Sequence, residues 1–409
     1  MANIIDYVEW RGDLPFKVSP INEVDVVAMM FLSFNDFSAV PGDIKDGFVD
    51  FTDAIRAVYG EKFEKKEVYG GAIMPNKDNQ RLISAMLESK RFGHMKMAAF
   101  VNNISEKSEQ QFAAFTIKLD DGTIYVNFEG TDDTIVGWKE DFNMSFSDEV
   151  PCQRRAVEYL ESIAAKTRGE IVVGGHSKGG NLAMYAAAKC KSRTQKRIER
   201  VISGDGPGFK KEFYASEGYL AVKSRITKLV PQESIVGMFF ANDSGIEVVK
   251  SGGNGIWQHN SYLWEVKGTR FVRTGGLTPR AAELSRVINE WIEEKDYETR
   301  KDLTQCIYEM MTAENAKTLT DFDKDKMLLW RSAFKLEPSK REKIFKSVME
   351  IMSGILKMDV KSISAKKNQK KLPSKKPVKA LPAKSRNTDG EKTQKNDAKK
   401  EIRRRENKK

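Results

Sequence analysis

Residues 175–179 read Gly-His-Ser-Lys-Gly, a G-x-S-x-G pattern whose central residue, Ser177, could act as a nucleophile. The pattern is informative because an apolar run at 170–173 precedes it and an alanine-rich segment at 181–191 follows it. These segments predict a strand and a helix joined by a sharp turn, in which flanking glycines leave the serine hydroxyl free to attack a carbonyl carbon. The alternative is a glycine-rich turn whose serine only caps the helix.

A serine hydroxyl needs a base to become a good nucleophile, and the chain offers three histidines. His176 is adjacent to the serine and is expected to support the turn rather than to reach the hydroxyl. His94 precedes the first predicted strand. His259 follows the last strand–helix unit, which fits the order serine, acid, histidine along an α/β-hydrolase chain. We therefore predict that His259 is the base, against the alternative of a structural histidine.

The acid that would orient His259 should follow a strand and lie between the serine and the histidine along the chain. Glu233 and Asp205 each follow a predicted strand, and Asp243 is a third candidate. Each of them could equally be an ordinary loop acid. We favour Glu233 slightly, with Asp205 close behind.

Acyl transfer also needs N–H donors for the oxyanion that forms in the transition state. The amide of Lys178, the residue after the serine, is the first expected donor. Thr131 is the second, because it follows a predicted strand and could donate from its amide and its hydroxyl; the alternative is a simple Gly-Thr-Asp turn. The Lys178 side chain could favour an anionic substrate, but we expect it to be solvated. This chemistry calls for no cofactor and no metal.

Strand and helix patterns alternate around these residues. The β-rich runs 112–117 and 123–128 flank Asp-Asp-Gly and predict a hairpin. Helical patterns then separate predicted strands at 170–173, 198–203 and 226–230, which is the spacing of parallel βαβ units. The sequence therefore predicts an α/β fold with a mostly parallel central sheet.

The C-terminal part of the chain has a different pattern. After about residue 275 the strand patterns end, and amphipathic helical stripes begin that we interpret as core faces of a helical appendage. The stripes contain Leu284, Val287, Ile288 and Trp291, then Ile307, Met310 and Met311, then Ile344, Val348, Ile351 and Met352. The last residues contain few large apolar side chains and predict disorder. The predicted domains are an α/β domain at 1–275, the helical appendage at 276–358 and a disordered basic tail at 359–409.

The charge of the chain is concentrated at its C-terminal end. The 409 residues carry a formal net charge of +11, whereas residues 361–409 contain 19 Lys or Arg and 5 Asp or Glu. The remaining residues sum to −3, so the composition does not imply a nucleic-acid-binding fold. Three widely spaced cysteines exclude a disulfide scaffold and predict a reducing compartment. With no long apolar run and no signal-peptide pattern, we expect a cytoplasmic protein.

The residues around the serine resemble those of class 3 (fungal-type) lipases. Residues 128–131, with Trp138 and Asp141, are similar to the F-R-G-T…W…D segment of that group. Residues 174–183 are similar to its G-H-S-x-G-G-x-L-A turn. Residues 22–25, 180–183, 205–209, 230–237 and 258–259 show a closer resemblance, to the bacterial Mbeg-like family, a domain of unknown function related to these lipases. This resemblance covers roughly residues 1–350.

This resemblance implies an α/β-hydrolase fold and a triad of Ser177, His259 and an acid. It also implies an oxyanion loop near Thr131. Two positions depart from the lipase pattern, since Glu129 stands where the lipases have arginine and Glu233 begins a Glu-Ser pair where they have aspartate. The resemblance does not supply a substrate.

These observations predict a serine hydrolase of the lipase or esterase type that cleaves a small-molecule or lipid ester. The alternative is a non-catalytic interaction protein that retains a hydrolase shell and works through its helices and basic tail. For the tail, residues 361–409, we consider a solvated disordered terminus first, then attraction to an anionic membrane surface. Nucleic-acid contact comes last, because the tail has no aromatic side chains to stack on bases. A cytoplasmic protein at the periphery of a membrane is compatible with the second possibility.

Overall fold

A central sheet organises the part of the chain that the structure, a computed structural model, describes: residues 1–60, 76–132, 134–243, 245–318, 321, 325 and 327–370. Within these residues the sheet has eight strands, which lie side by side in sequence order. They are β1 (Val49–Asp50), β2 (Lys96–Ser105), β3 (Gln110–Lys118), β4 (Ile124–Phe128), β5 (Ile171–His176), β6 (Ile198–Gly204), β7 (Ile226–Pro231) and β8 (Ile246–Val249). Strands β1 to β4 pair antiparallel, and β4 to β8 pair parallel. A short ribbon, β9 (Val266–Lys267) and β10 (Arg270–Phe271), follows.

Helices cover both faces of this sheet. In chain order they are α1 (Ile4–Arg11), α2 (Glu23–Met30), α3 (Phe51–Tyr59), α4 (Asn76–Glu88), α5 (Ile135–Asn143), α6 (Pro151–Lys166), α7 (Lys178–Lys189), α8 (Ser192–Gln195), α9 (Lys211–Tyr214), α10 (Glu217–Val222), α11 (Pro279–Glu294), α12 (Tyr297–Thr312), α13 (Leu328–Lys335) and α14 (Pro338–Lys370). The predicted fold class is confirmed as an α/β fold with a mostly parallel central sheet, helices on both faces and a helical C-terminal part.

The sheet separates two apolar cores. Val172 of β5 belongs to the same apolar core as side chains of α1 to α4, whereas its neighbour Val173 belongs to the core that includes side chains of α6 and α7. Successive residues of a strand point to opposite faces, so a strand covered on both sides reads as a continuous apolar run. Alanines at 183, 186 and 187 make α7 narrow on its inner face, and every residue from 178 to 188 is buried.

The parallel strands bring the predicted site residues to one edge of the sheet. Four of them lie just beyond the carboxyl end of a strand: Thr131 after β4, Ser177 after β5, Asp205 after β6 and Glu233 after β7. Ligand sites of parallel sheets form at that edge. His94 lies just before β2, which runs parallel to β4, and therefore lies at the opposite edge. This position removes His94 from the candidates for a base.

The C-terminal helices pack on the α/β part through specific polar contacts. The Asn289 side chain of α11 donates to the Met238 carbonyl oxygen at 2.7 Å and accepts from the Phe240 amide at 2.8 Å. Residues Met1–Met358 form one compact unit, which includes α11 to α13. The predicted domain boundaries at 275 and 358 stay predictions.

The interpretation of the helical stripes as core faces is confirmed for Val287 and wrong for Val348 and Met352. Val287 is buried, and Gly354 of α14 packs against it. Val348 and Met352 are 50% and 45% exposed, because the side of α14 that contains Gly354 faces α11 and their own side does not.

Helix α14 extends to Lys370, beyond residue 359, where the predicted disordered tail begins. The rest of that predicted tail, residues 371–409, lies outside the described residues. Among the helices that the structure describes, none combines the length and the apolar character that crossing a bilayer requires.

Candidate active site

Ser177 occupies the tight turn between β5 and α7, with backbone angles φ 57° and ψ −129°. A positive φ is strained for a residue that has a Cβ, so the surrounding structure must hold it. A Cβ on Gly175 would overlap the Gly179 backbone, and a Cβ on Gly179 would overlap the Phe128 carbonyl oxygen. The two glycines therefore allow the strand and the helix to approach closely while the Ser177 side chain stays partly exposed.

An imidazole–carboxylate pair lies beside this turn. Nδ1 of His259 is 2.6 Å from Oδ2 of Asp205, and the Asp205 side chain is 1% exposed. The second oxygen of Asp205 accepts a 2.5 Å hydrogen bond from the Ser234 hydroxyl. Asp205 directly follows Gly204, whose carbonyl oxygen accepts the Ser177 amide at 2.8 Å. The structure thus brings Ser177, Asp205 and His259 to the same place.

The slight preference for Glu233 as the partner of the imidazole is corrected by these contacts. The Glu233 carboxylate accepts a hydrogen bond from the Gly255 amide at 2.6 Å, and its own amide donates to Gln258 Oε1 at 2.9 Å. Glu233 therefore braces the backbone of the turn that ends at His259. Asp243, the third candidate, accepts from the Tyr219 hydroxyl at 2.8 Å and pairs with Lys223 at 2.9 Å.

The His176 side chain supports the backbone at His259. Its Nε2–H donates to the His259 carbonyl oxygen at 2.8 Å, and the two ring centroids are 4.4 Å apart. Burial, with a smaller contribution from neighbouring His259, lowers the pKa of His176 to about 3, so this ring stays neutral at ordinary pH. Within the described residues no hydrogen bond joins Ser177 Oγ to His259 Nε2.

We expect His176 to make the folded state sensitive to acid. Its pKa is about 3 when folded and near 6.5 when unfolded, so below pH 6.5 the unfolded chain binds a proton that the folded chain does not. The free energy of unfolding should fall as pH falls, by about 1.4 kcal/mol per pH unit from this group. Urea unfolding of wild type and His176→Phe between pH 7 and pH 4.5 measures how the free energy of unfolding depends on pH in each protein. Equal slopes in the two proteins would contradict this assignment.

The loop after β4 faces the serine. A Cβ on Gly130 would lie 2.9 Å from the His176 carbonyl oxygen, closer than real Cβ atoms come, and 3.4 Å from the Ser177 Cβ, so the glycine lets the loop come this close. The hydroxyl of the next residue, Thr131, donates to Oδ2 of Asp141 and is therefore already engaged. In the part of the chain that the structure describes, neither the Thr131 amide nor the Lys178 amide has a hydrogen-bond acceptor. These two N–H groups are available to a ligand.

The Lys178 side chain is buried, and the expectation of a solvated lysine is wrong. Its Nζ donates to the Gln111 carbonyl oxygen at 2.9 Å and to Gln111 Oε1, and it lies 3.5 Å from Oε2 of Glu140. Burial lowers the pKa of Lys178, but Asp141, Glu140 and other acidic neighbours outweigh it and raise the pKa. The ammonium group therefore stays charged inside the protein.

Gln111 and Glu140 connect Lys178 to the loop after β4. Glu140 accepts the Gln111 amide at 2.9 Å and the Cys152 amide at 2.8 Å, which fixes its carboxylate. The Gln111 side-chain amide reaches the Gly130 carbonyl oxygen at 3.5 Å. A buried polar network therefore joins the first residue of α7 to the loop that faces Ser177.

Two further carboxyl groups, each with one oxygen shielded from solvent, lie near this network. Burial raises the pKa of Asp141 to about 6 and the pKa of Glu129 well above its usual range. One oxygen of each, and Nε1 of Trp138, find no hydrogen-bond partner among the described residues. Where the lipase segment has arginine, this chain therefore has a carboxyl group whose pKa is raised, and Lys178 is a buried cation near it.

Sequence reasoning missed three residues that support this arrangement. Ser234, Gln111 and Glu140 all contact the site through side chains, and their partners are 29 to 67 residues away along the chain. The position of Glu140 beside Asp141, which belongs to the lipase-like segment, was the one available signal. Nothing in the spacing of Ser234 or Gln111 indicates their partners.

Comparisons with known proteins give a family match and a similarity to a solved structure. A family model described as Mbeg1-like matches residues 86–309. Among solved structures, the crystal structure of M37 lipase is similar, with 14% sequence identity and a TM-score of 0.34. That match covers 54% of this chain and 70% of the lipase chain. No curated protein matches the chain.

Proposed function

The chain belongs to the Mbeg1-like family, and on that premise we propose that it is a serine hydrolase of the lipase or esterase type that cleaves an acyl ester. The observation that carries the proposal is the Asp205–His259 hydrogen bond beside the strained turn at Ser177. A serine on a sharp strand-to-helix turn, next to an imidazole held by a buried carboxylate, is the arrangement that serine hydrolases use.

In the first half of the proposed reaction, Ser177 Oγ attacks the ester carbonyl carbon while His259 Nε2 takes the hydroxyl proton. Asp205 holds Nδ1–H and stabilises the imidazolium that forms. The amides of Lys178 and Thr131 donate to the oxyanion of the tetrahedral intermediate. The intermediate collapses, the carbon–oxygen bond to the alcohol breaks, and His259 returns the proton to the leaving alcohol.

In the second half, water attacks the acyl-serine ester and passes a proton to His259. The second tetrahedral intermediate uses the same two N–H donors. Its collapse releases the carboxylic acid and returns the proton to Ser177. Each proton that His259 accepts is returned within the cycle, so the reaction consumes only ester and water and needs no cofactor.

A fluorophosphonate probe tests this proposal directly, because an activated serine attacks its phosphorus and expels fluoride. Wild-type protein should become labelled, and Ser177→Ala should not. Ser108→Ala is a matched control, because Ser108 is an exposed serine in the turn between β2 and β3 and its loss should leave labelling unchanged.

The same experiment separates the hydrolase from a non-catalytic interaction protein that retains the fold. If folded wild-type protein stays unlabelled, the hydrolase proposal fails and the interaction function is favoured. If Ser177→Ala is labelled as strongly as wild type, another residue reacts and the assignment of Ser177 fails. A panel of esters that differ in acyl length and headgroup, with Ser177→Ala as the blank, then defines the substrate.

A further inference from the structure

Helices α13 and α14 expose a group of large apolar side chains. Eight of the 17 large apolar residues that are exposed in the described part of the chain fall within these helices and the residue before them. Each of the eight is 45–72% exposed. They are Met327, Leu329, Trp330, Phe334, Phe345, Val348, Met349 and Met352. Contiguous exposed apolar surface of this kind usually marks an interaction site.

Six of these side chains lie in two helical stripes, which we together call the apolar face: Trp330, Phe334, Phe345, Val348, Met349 and Met352. On α14 the spacing i, i+3, i+4, i+7 from Phe345 places four of them on one side of the helix. On α13, Trp330 and Phe334 are one turn apart. The Arg341 guanidinium lies 5.8 Å over the Phe334 ring, and Arg341 is one turn before Phe345, so the two stripes meet there.

The opposite sides of both helices are already occupied within the protein. Leu328 and Ser332 of α13 are buried, and Gly354 of α14 packs against Val287 of α11. The helices therefore bury one apolar side internally and present a second one outward. Intramolecular packing does not account for the apolar face.

Charge distinguishes between the possible occupants of this face. Residues 361–409, which begin within the last turns of α14, carry 19 basic and 5 acidic side chains, whereas the rest of the chain sums to −3. A second copy of the chain would bring an equally basic segment to the interface, and like charges repel. An anionic bilayer instead attracts a basic segment and also accepts exposed Trp, Phe and Met side chains at its interface.

We propose that the apolar face docks on an anionic lipid surface, with residues 361–409 supplying the electrostatic attraction. The helices then lie in the plane of the interface, with Trp330 and the other side chains of the face among the lipid headgroups and the outer acyl carbons. The inference goes beyond the proposed hydrolysis and does not depend on it. Ser177→Ala should bind vesicles as wild type does.

Co-sedimentation of the full chain with vesicles tests the proposal. Wild-type protein should sediment with phosphatidylcholine–phosphatidylserine vesicles at low salt, and much less with phosphatidylcholine vesicles or at high salt, where charge is screened. The triple variant Trp330→Ser, Phe345→Ser, Met349→Ser should lose at least about tenfold in affinity for the anionic vesicles. A circular dichroism spectrum like that of wild type would show that this variant is folded.

The double variant Trp10→Ser, Leu220→Ser is the matched control. It removes apolar side chains that are 50% and 56% exposed but lie outside the apolar face, so its vesicle binding should equal that of wild type. Trp330 itself provides a second readout. A blue shift of tryptophan emission on adding anionic vesicles should be present in wild type and reduced in Trp330→Phe.

Three results would overturn the proposal. Unchanged binding of the triple variant would mean that the basic segment alone attracts the membrane. Equal binding to neutral and anionic vesicles would remove the role of charge. A wild-type dimer in sedimentation velocity that the triple variant converts to monomer, without vesicle binding by either, would make the face an interface between two copies.

Discussion

Replacing Asp205 by asparagine is expected to lower kcat for ester hydrolysis about 10⁴-fold, while KM changes little. The carboxylate accepts the Nδ1 proton of His259 at 2.6 Å from a buried position, so it fixes the tautomer in which Nε2 is free to act as a base. An asparagine can offer its NH₂ group to Nδ1 and hold the opposite tautomer, with the proton on Nε2. The serine then has no base.

Measuring kcat and KM for hydrolysis of a chromogenic short-chain ester by wild type and by Asp205→Asn tests this expectation. Glu233→Gln is the control, because the glutamine oxygen can still accept the Gly255 amide that Glu233 accepts at 2.6 Å. Its kcat should stay within about tenfold of the wild-type value. A loss in Glu233→Gln as large as that in Asp205→Asn would return the role of the acid to Glu233.

The sequence alone does not decide whether Asp205 or Glu233 contacts the imidazole. Both residues follow parallel strands, β6 and β7, that finish at the same edge of the sheet. What separates them is the direction of each side chain. Asp205 has a positive φ of 48° and a hydrogen bond from Ser234, and neither feature is visible in a pattern of residue types.

Local patterns predicted most of the elements around the site. The hairpin of β3 and β4, the strands β5 to β7 and the helix α7 lie within a few residues of their predicted positions, because continuous apolar runs and turn residues define them. Strands β2 and β8 were not predicted. The first follows a helical pattern without a clear break, and the second, Ile246–Val249, has only four residues.

The environments of Lys178 and of the α14 side chains depend on tertiary contacts that the sequence pattern does not reveal. Lys178 was expected in solvent because lysine is seldom buried, but two distant side chains, Gln111 and Glu140, provide its partners. Val348 and Met352 were expected in a core because their spacing is helical. Periodicity identifies an apolar side of a helix, but it does not say whether the protein or a partner covers it.

Replacing Lys178 by methionine is expected to destabilise the fold by about 3–5 kcal/mol. Methionine matches the length of the lysine stem but removes the charge that faces Glu140, whose carboxylate is fully buried. An uncompensated buried carboxylate is costly, and the Gln111 carbonyl oxygen also loses a donor. Because Gln111 reaches Gly130, the loop that faces Ser177 should loosen, so we also expect a lower kcat in the fraction that stays folded.

Guanidinium unfolding of Lys178→Met, Glu140→Gln and the double variant separates the pair interaction from the loss of either side chain. If the two groups act as an ion pair, the double variant should be more stable than the sum of the single losses predicts, since glutamine leaves no buried charge. Lys189→Met, an exposed lysine at the end of the same helix, should cost less than about 0.5 kcal/mol. A loss below about 1 kcal/mol in Lys178→Met, or strictly additive losses in the double variant, would mean that the Lys178–Glu140 contact does not hold the turn and the loop together.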